Sequence, residues 1–280
     1  MIRRIRGEIF GLVEWIRQAQ WVGCRTLFIF LTVEMFTVGL AAANPLLPAK
    51  FTVRRLDPPA SKPFWMFKQS QVGPKTDLSR LTYSTKSPSH NYDWSGIVVH
   101  QAGEGPKPTA YLGGFTMVTK RHGIGAKHAQ DAGPVKFVGK DNRIVVRKVV
   151  AKKRIGKTDI EVITLDEDVP ATVRVYKVMT HLDKLNGWNV YSVRHNRRVF
   201  TRTLKNTDDH TVRHTASSQG EPVKSSGKPM LVAADGKLFL LCVHYTASAS
   251  FAIAGYIDEI NSVVSATGDY KLITVRAPTR

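Results

Sequence analysis

The sequence predicts a mostly β protein that ends in one helix. From about Tyr83 onward, the chain consists of short apolar runs rich in Val, Ile, Thr and aromatic residues, with turn residues between them. Asp235-Gly236 lies between two such runs and is the strongest short hairpin signal in the chain. Only residues 253–268 show apolar side chains at helical spacing, with Gly268 at their end. Many short strands and one late helix are typical of an antiparallel β-barrel or β-sandwich.

The composition is that of a globular protein with one large or two small domains. Of the 280 residues, 42% are hydrophobic and 9% aromatic, which excludes disordered, collagen and coiled-coil classes. Two cysteines allow one bridge at most, so a disulfide-stapled scaffold is excluded as well. The 41 Lys and Arg residues outnumber the 22 Asp and Glu residues, giving a net charge of +19. This charge favours contact with nucleic acid, an anionic membrane surface or acidic substrates.

Residues 1–43 have the pattern of a hydrophobic leader helix. An apolar run over 27–43 follows a basic stretch and ends in the small residues Ala41, Ala42 and Ala43, the three parts of a secretory signal. Its length of 17 residues is the lower limit for a membrane span, and Glu34 lies inside it. A cleaved signal peptide, an uncleaved membrane anchor and an ordinary buried helix remain open. A signal peptide or a membrane anchor predicts that the chain is exported, and that it is then secreted, periplasmic or membrane-anchored.

Residues 44–82 are predicted to be a Pro-rich extended linker or a segment that wraps across the folded part. Seven of the 14 prolines lie between Pro45 and Pro88, which prevents a long helix or a central strand. The chain beyond residue 43 keeps a net charge of +17, because the leader contains five Arg and only three Glu. The charge therefore belongs to the folded part, for which we expect one domain over residues 83–275. Its one cysteine, Cys242, is predicted to be a buried structural thiol.

Three short stretches supply the residue types that acyl transfer needs. The stretch GIGAKH ends at His128, DIEVITLD begins at Asp159, and KSSGKP contains Ser226 ahead of the predicted hairpin. Serine is a weak nucleophile until an imidazole removes its proton, and the imidazole needs a carboxylate to fix its tautomer. The order His, Asp, Ser, with each residue next to a strand or turn, therefore predicts a nucleophilic site.

In these motifs the chain resembles a trypsin-like (chymotrypsin-fold) serine peptidase of the disulfide-free, exported bacterial type. The resemblance extends from about Tyr83 to Tyr270 and implies two six-stranded antiparallel β-barrels followed by a C-terminal helix. It implies His128 as general base, Asp159 as its orienting partner and Ser226 as nucleophile of an endopeptidase with an acyl-enzyme intermediate. It further implies a protein or peptide substrate and no cofactor.

The sequence departs from the family pattern directly before the nucleophile. Lys224-Ser225 replaces the usual Gly-Asp, and the resemblance assigns the oxyanion hole to the backbone N–H groups of Lys224 and Ser226. The position of Lys224 often needs a conformation that suits glycine. Loss of one oxyanion donor costs on the order of 10²- to 10³-fold in rate. The alternatives are therefore an active peptidase and a catalytically impaired homologue that acts as a binding module.

The resemblance also identifies a substrate-pocket residue. His244, in CVHYTASA, falls where glutamyl endopeptidases carry a histidine that helps to bind an acidic side chain in an I-H-W-G-G-like segment. This resemblance predicts a preference for an acidic residue before the scissile bond. The alternative interpretation is a strand histidine whose hydrogen bonds are satisfied within the fold.

Basic residues form clusters that the sequence places in solvated loops: Lys120-Arg121-His122, Arg147-Lys148, Lys152-Lys153-Arg154 and Arg194 with Arg197-Arg198. No nucleic-acid-binding motif accompanies them, so a nucleic-acid partner is not expected, whereas an anionic membrane surface is. The non-enzyme alternative is a basic β-domain that binds an anionic partner. No metal site is predicted, because His210 and His214 lack a third obvious ligand.

Overall fold

The computed structural model describes residues 51–59, 62–71, 77–99, 114–129, 134–194, 197–215, 226–246 and 248–279. The chain divides into two units, Met1–Ala49 and Lys50–Arg280. The predicted leader over residues 1–43 lies outside the described residues. Within the ranges above, no helix is both long and apolar enough to cross a bilayer.

Most of the regular secondary structure of the described residues is β-strand, as the sequence predicts. The strands are β1 (Phe51–Thr52), β2 (Phe64–Trp65), β3 (Phe115–Met117), β4 (His122–Ala126), β5 (Pro134–Val138), β6 (Ile144–Arg154), β7 (Ile160–Leu165), β8 (Lys177–Thr180), β9 (Asn189–Val193), β10 (Arg198–Thr203), β11 (Thr211–Arg213), β12 (Pro229–Ala234), β13 (Lys237–Val243), β14 (Ala249–Phe251) and β15 (Thr274–Arg276). The predicted late helix is α1 (Ile257–Ser265), which buries Ile260 and Val264. Short 3₁₀ helices span Gln69–Gln71, Leu78–Arg80, Lys127–Ala129, Leu182–Leu185 and Ala254–Tyr256.

The first barrel closes from six segments in the order 97–99, β3, β4, β7, β6 and β5. Antiparallel ladders join β3 to β4, β4 to β7, β7 to β6 and β6 to β5. The extended segment 97–99 joins the two ends, because Val98 N donates to Phe115 O (3.1 Å) and Val99 N donates to Lys136 O (2.8 Å). Apolar side chains fill the interior, among them Phe115, Phe137 and Ile163.

The second barrel closes in the order β9, β10, β11, β14, β13 and β12. Antiparallel ladders join β9 to β10, β11 to β14, β12 to β13 and β12 to β9. Single bridges make the other two contacts: Leu204 with His214 between the ends of β10 and β11, and Cys242 with Ala252 between β13 and the end of β14. Cys242 is buried in this wall, as predicted, and burial raises the pKa of its thiol to about 12.

Both barrels have the same topology. When the six segments of each are numbered in chain order, both close as 1-2-3-6-5-4. Two six-stranded barrels followed by one helix are thus confirmed, and the alternative of a sandwich is excluded. Four further strands join β13, β12, β9 and β10 of the second barrel in an eight-stranded sheet, with β8, β15 and β1 added in parallel beyond β13 and β2 added beside β10.

The described part of residues 44–82 packs on the barrels. Phe67 and Leu81 are fully buried, and β2 pairs with β10 at the edge of the second barrel. The ring of Phe64 lies edge-on to Tyr191 of β9, with centroids 5.7 Å apart. The described residues of this segment thus contribute buried side chains and one strand pairing to the folded part.

All four basic clusters lie, in whole or in part, elsewhere than the sequence predicts. His122 of the first cluster is buried in β4. Arg147-Lys148 and residues 152–154 belong to the long strand β6, not to loops, because the Ile and Val residues that precede and separate the two basic runs are β-branched and favour an extended chain. Arg194 is buried and its guanidinium lies 3.8 Å from the centre of the Phe200 ring. Stacking on an aromatic ring stabilises a buried guanidinium in a way that the local sequence does not reveal.

Candidate active site

His128 lies on the 3₁₀ turn that follows β4, and Asp159 lies directly before β7. Pairing of Ala126 with Ile160 brings the two strand ends together. Lys127 N donates to Asp159 O (2.8 Å), and His128 N donates to Asp159 Oδ1 (3.3 Å). The first barrel therefore holds the imidazole and the carboxylate through backbone as well as side-chain contacts.

Ser226 lies on the turn that leads into β12 of the second barrel. Gly227 follows it with φ of +77°, a left-handed conformation that favours glycine. Gly227 N donates to His244 O (3.0 Å), and His244 N donates to Lys228 O (2.8 Å), so the turn is bonded to the chain just beyond β13. A Cβ built on Gly227 would overlap the carbonyl oxygen of Gly114, next to β3 of the first barrel. The turn thus packs closely between the two barrels.

The three side chains meet in a chain of hydrogen bonds. His128 Nδ1 lies 2.6 Å from Asp159 Oδ2, and His128 Nε2 lies 2.6 Å from Ser226 Oγ. An ionised carboxylate only accepts, so Nδ1 carries the proton and Nε2 is free to accept the serine hydroxyl proton. The Asp159 side chain is 13% exposed and that of His128 is 45% exposed. The arrangement shelters the orienting carboxylate and leaves the base open to a reactant.

The predicted oxyanion-hole residues are described only in part. The nitrogen of Ser226 belongs to the described turn, whereas Lys224 lies outside the described residues. Tyr245 borders the site, with its ring centroid 5.8 Å from that of His128 in an edge-on arrangement. The site thus has an aromatic side chain next to its base.

His244 is buried beside the nucleophile turn. Its Nε2 lies 2.8 Å from Ser192 Oγ, and its ring lies 5.7 Å from that of His214. Burial, with the nearby His214, Arg202 and Arg194, lowers the pKa of His244 to about 3, so the ring is neutral at neutral pH. Arg202 is buried near His214 and His244. Neither Arg202 nor Ser192 was predicted from the sequence, because strand arginines and serines carry no local signal of function.

Lys228 is a further residue that the sequence did not single out. It lies two positions after Ser226, and its side chain is buried instead of exposed, which is unusual for lysine. Its Nζ donates to Val98 O (3.1 Å). The signal available in the sequence was the position of Lys228 inside the stretch KSSGKP.

No group of three His, Cys, Asp or Glu residues that could hold a metal occurs within the part of the chain that the structure describes. The two histidines considered in the sequence are in different surroundings. The ring of His210 packs edge-on against Tyr256 at 5.7 Å, whereas that of His214 faces His244.

Two barrels of one strand order, with His and Asp from the first and Ser from the second, are the architecture of the trypsin-like fold class. The solved structures that the chain resembles are trypsin-like serine proteases. Neuropsin, a serine protease expressed in the limbic system of mouse brain, is 13% identical with a TM-score of 0.43, over 55% of this chain and 89% of neuropsin. Kallikrein-related peptidase 10 is 14% identical with a TM-score of 0.47, over 61% of this chain and 96% of that one. No family model and no curated protein matches the chain.

Proposed function

We propose that the chain is a serine endopeptidase that uses His128, Asp159 and Ser226. The observation that supports this most is the pair of 2.6 Å contacts on the two nitrogens of the His128 ring. They join a hydroxyl, an imidazole and a sheltered carboxylate in the order that activates a serine. The site is open to a peptide on the side of His128, since nearly half of that side chain is exposed.

The proposed reaction has two halves. Ser226 Oγ attacks the scissile carbonyl carbon while His128 Nε2 removes its proton, and backbone N–H groups of Ser226 and Lys224 stabilise the oxyanion. His128 then protonates the leaving amine, the C–N bond breaks, and an ester to Ser226 remains. Water, deprotonated by the same nitrogen, hydrolyses this ester and releases the second product. Asp159 stays ionised throughout and keeps the proton of His128 on Nδ1.

A fluorophosphonate probe tests this proposal, because it phosphonylates only an activated serine. We expect the wild-type chain to be labelled and Ser226→Ala to remain unlabelled. Asp159→Asn keeps the shape of the side chain but favours the wrong tautomer, so peptide hydrolysis should fall about 10⁴-fold. Ser262→Ala, on the exposed face of α1, is the matched control and should label like the wild type. Absence of wild-type labelling would contradict the proposal and favour a binding module.

We propose further that the enzyme prefers an acidic residue before the scissile bond. Support comes from the positive field around His244, to which the buried Arg194 and Arg202 contribute, and from the net charge of +17 on the chain beyond residue 43. Such a field attracts a carboxylate and repels Lys or Arg side chains. Ser192 of β9 orients the ring of His244 through its hydroxyl group.

A peptide library tests the preference. We expect cleavage mainly after Asp or Glu, and a reduced preference in His244→Gln. His210→Gln is the matched control, since the ring of His210 packs against Tyr256, whereas the ring next to His244 is that of His214. Cleavage mainly after Arg, Lys or large apolar residues would show that the preference is wrong while leaving the peptidase proposal intact.

A further inference from the structure

Lys228 brings an amino group into the junction of the two barrels. It follows Ser226 by two residues in the second barrel, and only 4% of it is exposed. Its Nζ donates to Val98 O (3.1 Å), and Val98 belongs to the segment that closes the first barrel. The end of its side chain lies against the backbone of Gly114, where an added Cβ would overlap it. The lysine therefore spans from the nucleophile turn to the opposite barrel.

The distance between nucleophile and base depends on how the barrels are held together at this point. Ser226 belongs to the second barrel and His128 to the first, so their 2.6 Å contact changes with any shift between the two. On its own barrel, the turn is fixed by the backbone hydrogen bonds between residues 227–228 and His244. Toward the first barrel, it is fixed by the close approach of Gly227 to Gly114 and by the side chain of Lys228.

Stability does not explain why a lysine occupies this position. Among the described residues, no carboxylate forms an ion pair with it. Burial, and secondarily the charge of Arg197 in the β9–β10 turn, lowers the pKa of Lys228 to about 7. A buried ammonium without a counter-charge destabilises the folded state, and an apolar side chain of similar length avoids that cost. Among the described residues, the contact that distinguishes Lys228 from an apolar side chain of similar length is its hydrogen bond to Val98 O.

We propose that Lys228 is a positioning residue of the peptidase, whose hydrogen bond to Val98 ties the nucleophile turn to the first barrel and holds Ser226 within reach of His128. This inference rests on the proposed function. A misplacement of about 1 Å between reacting groups can reduce a rate by about 10²-fold, so loss of the tie should act on the chemical step. Binding of substrate or probe elsewhere in the cleft should change little.

Lys228→Met and Lys228→Gln test the inference in the full-length chain. For Lys228→Met we expect a Tm equal to or above that of the wild type, because an apolar side chain replaces a buried polar amino group. Its maximal rate of fluorophosphonate labelling should fall at least about tenfold, with an unchanged half-saturating probe concentration. Lys228→Gln keeps a donor and should recover part of the rate. Lys237→Met, an exposed lysine at the start of β13, is the matched control for loss of one charge.

The possible results separate the inference from the function on which it rests. A Lys228→Met chain that labels at the wild-type rate overturns the inference alone. So does a variant that fails to fold or loses Tm together with its rate, because the lysine would then be a structural anchor. A wild-type chain that is not labelled overturns the proposed function and the inference with it.

Discussion

At the scale of single residues, buried histidines determine how the protein responds to acid. His122 is fully buried in β4, where its Nδ1 lies 2.8 Å from Thr119 Oγ1 and its Nε2 lies 2.8 Å from Thr267 Oγ1. Through Thr267, the ring links the first barrel to the chain that follows α1. Burial, and then the charge of Arg121, lowers the pKa of His122 to about 4, although Asp168 opposes the shift.

This depressed pKa predicts the direction of acid destabilisation. Between pH 6.5 and about 4 the unfolded chain binds a proton at this histidine that the folded chain does not. The neutral His122 ring therefore contributes to the free energy of unfolding above pH 6.5. This contribution, roughly 2–4 kcal/mol, is lost as the pH falls toward 4.

Urea unfolding at pH 7 and pH 4.5 measures the effect. His122→Gln should lose less free energy of unfolding over this interval than the wild type. Some loss should remain, because His214 and His244 are also buried with lowered pKa values. His90→Gln, at an exposed turn, is the control. Equal losses in wild type and His122→Gln would contradict the assignment.

At the scale of elements, the β12–β13 hairpin carries the nucleophile at one end and a tight turn at the other. Asp235 and Gly236 have φ of +48° and +69°, the left-handed pair of a type I′ turn, in the hairpin that the sequence predicts. The carboxylate of Asp235 accepts hydrogen bonds from Arg54 N (2.9 Å) and Arg55 N (3.1 Å). The same hairpin thus positions Ser226 and fixes the N-terminal segment.

The two glycines of this hairpin make a matched pair for mutation. Gly227 and Gly236 have similar left-handed φ values, so an alanine meets similar backbone strain at either site, about 1 kcal/mol. No atom lies within 4 Å of a Cβ at Gly236, whereas a Cβ at Gly227 overlaps the carbonyl oxygen of Gly114. Gly236→Ala should therefore cost about 1 kcal/mol and keep its labelling by fluorophosphonate. Gly227→Ala should be less stable still and lose most labelling.

Chemical unfolding and labelling of the two alanine variants check this difference. If Gly227→Ala were as stable and as readily labelled as Gly236→Ala, the turn would not be packed against the first barrel as described. The comparison isolates the close approach between barrels from the strain of the turn itself.

At the scale of the whole molecule, the proposed site exists only where the two barrels meet. The first barrel supplies His128 and Asp159, and the second supplies Ser226. The described part of the segment 44–82, with Tyr83 directly after it, adds a second connection. Phe64 packs on Tyr191 of the second barrel, and Tyr83 OH donates to Val138 O (2.6 Å) of the first. A segment rich in proline thus contributes to the core instead of serving only as a spacer.

The sequence by itself determined the strand-rich class, the late helix, the hairpin at Asp235-Gly236 and the three residues that the structure brings together. These features are encoded by neighbouring residues, whose alternation, turn chemistry and order along the chain can be read locally. The interpretation of Cys242 as a buried thiol depended on the same local signal, an apolar run.

Only the tertiary structure decided which strands close each barrel and which charged residues lie inside. The segment 97–99 joins strands that are remote along the chain, and Lys228 reaches a carbonyl 130 positions away. The burial of Arg194 and Arg202 likewise depends on partners from other strands. A charged side chain appears exposed in any local pattern, because its burial is set by the distant groups that surround it and compensate the lost hydration.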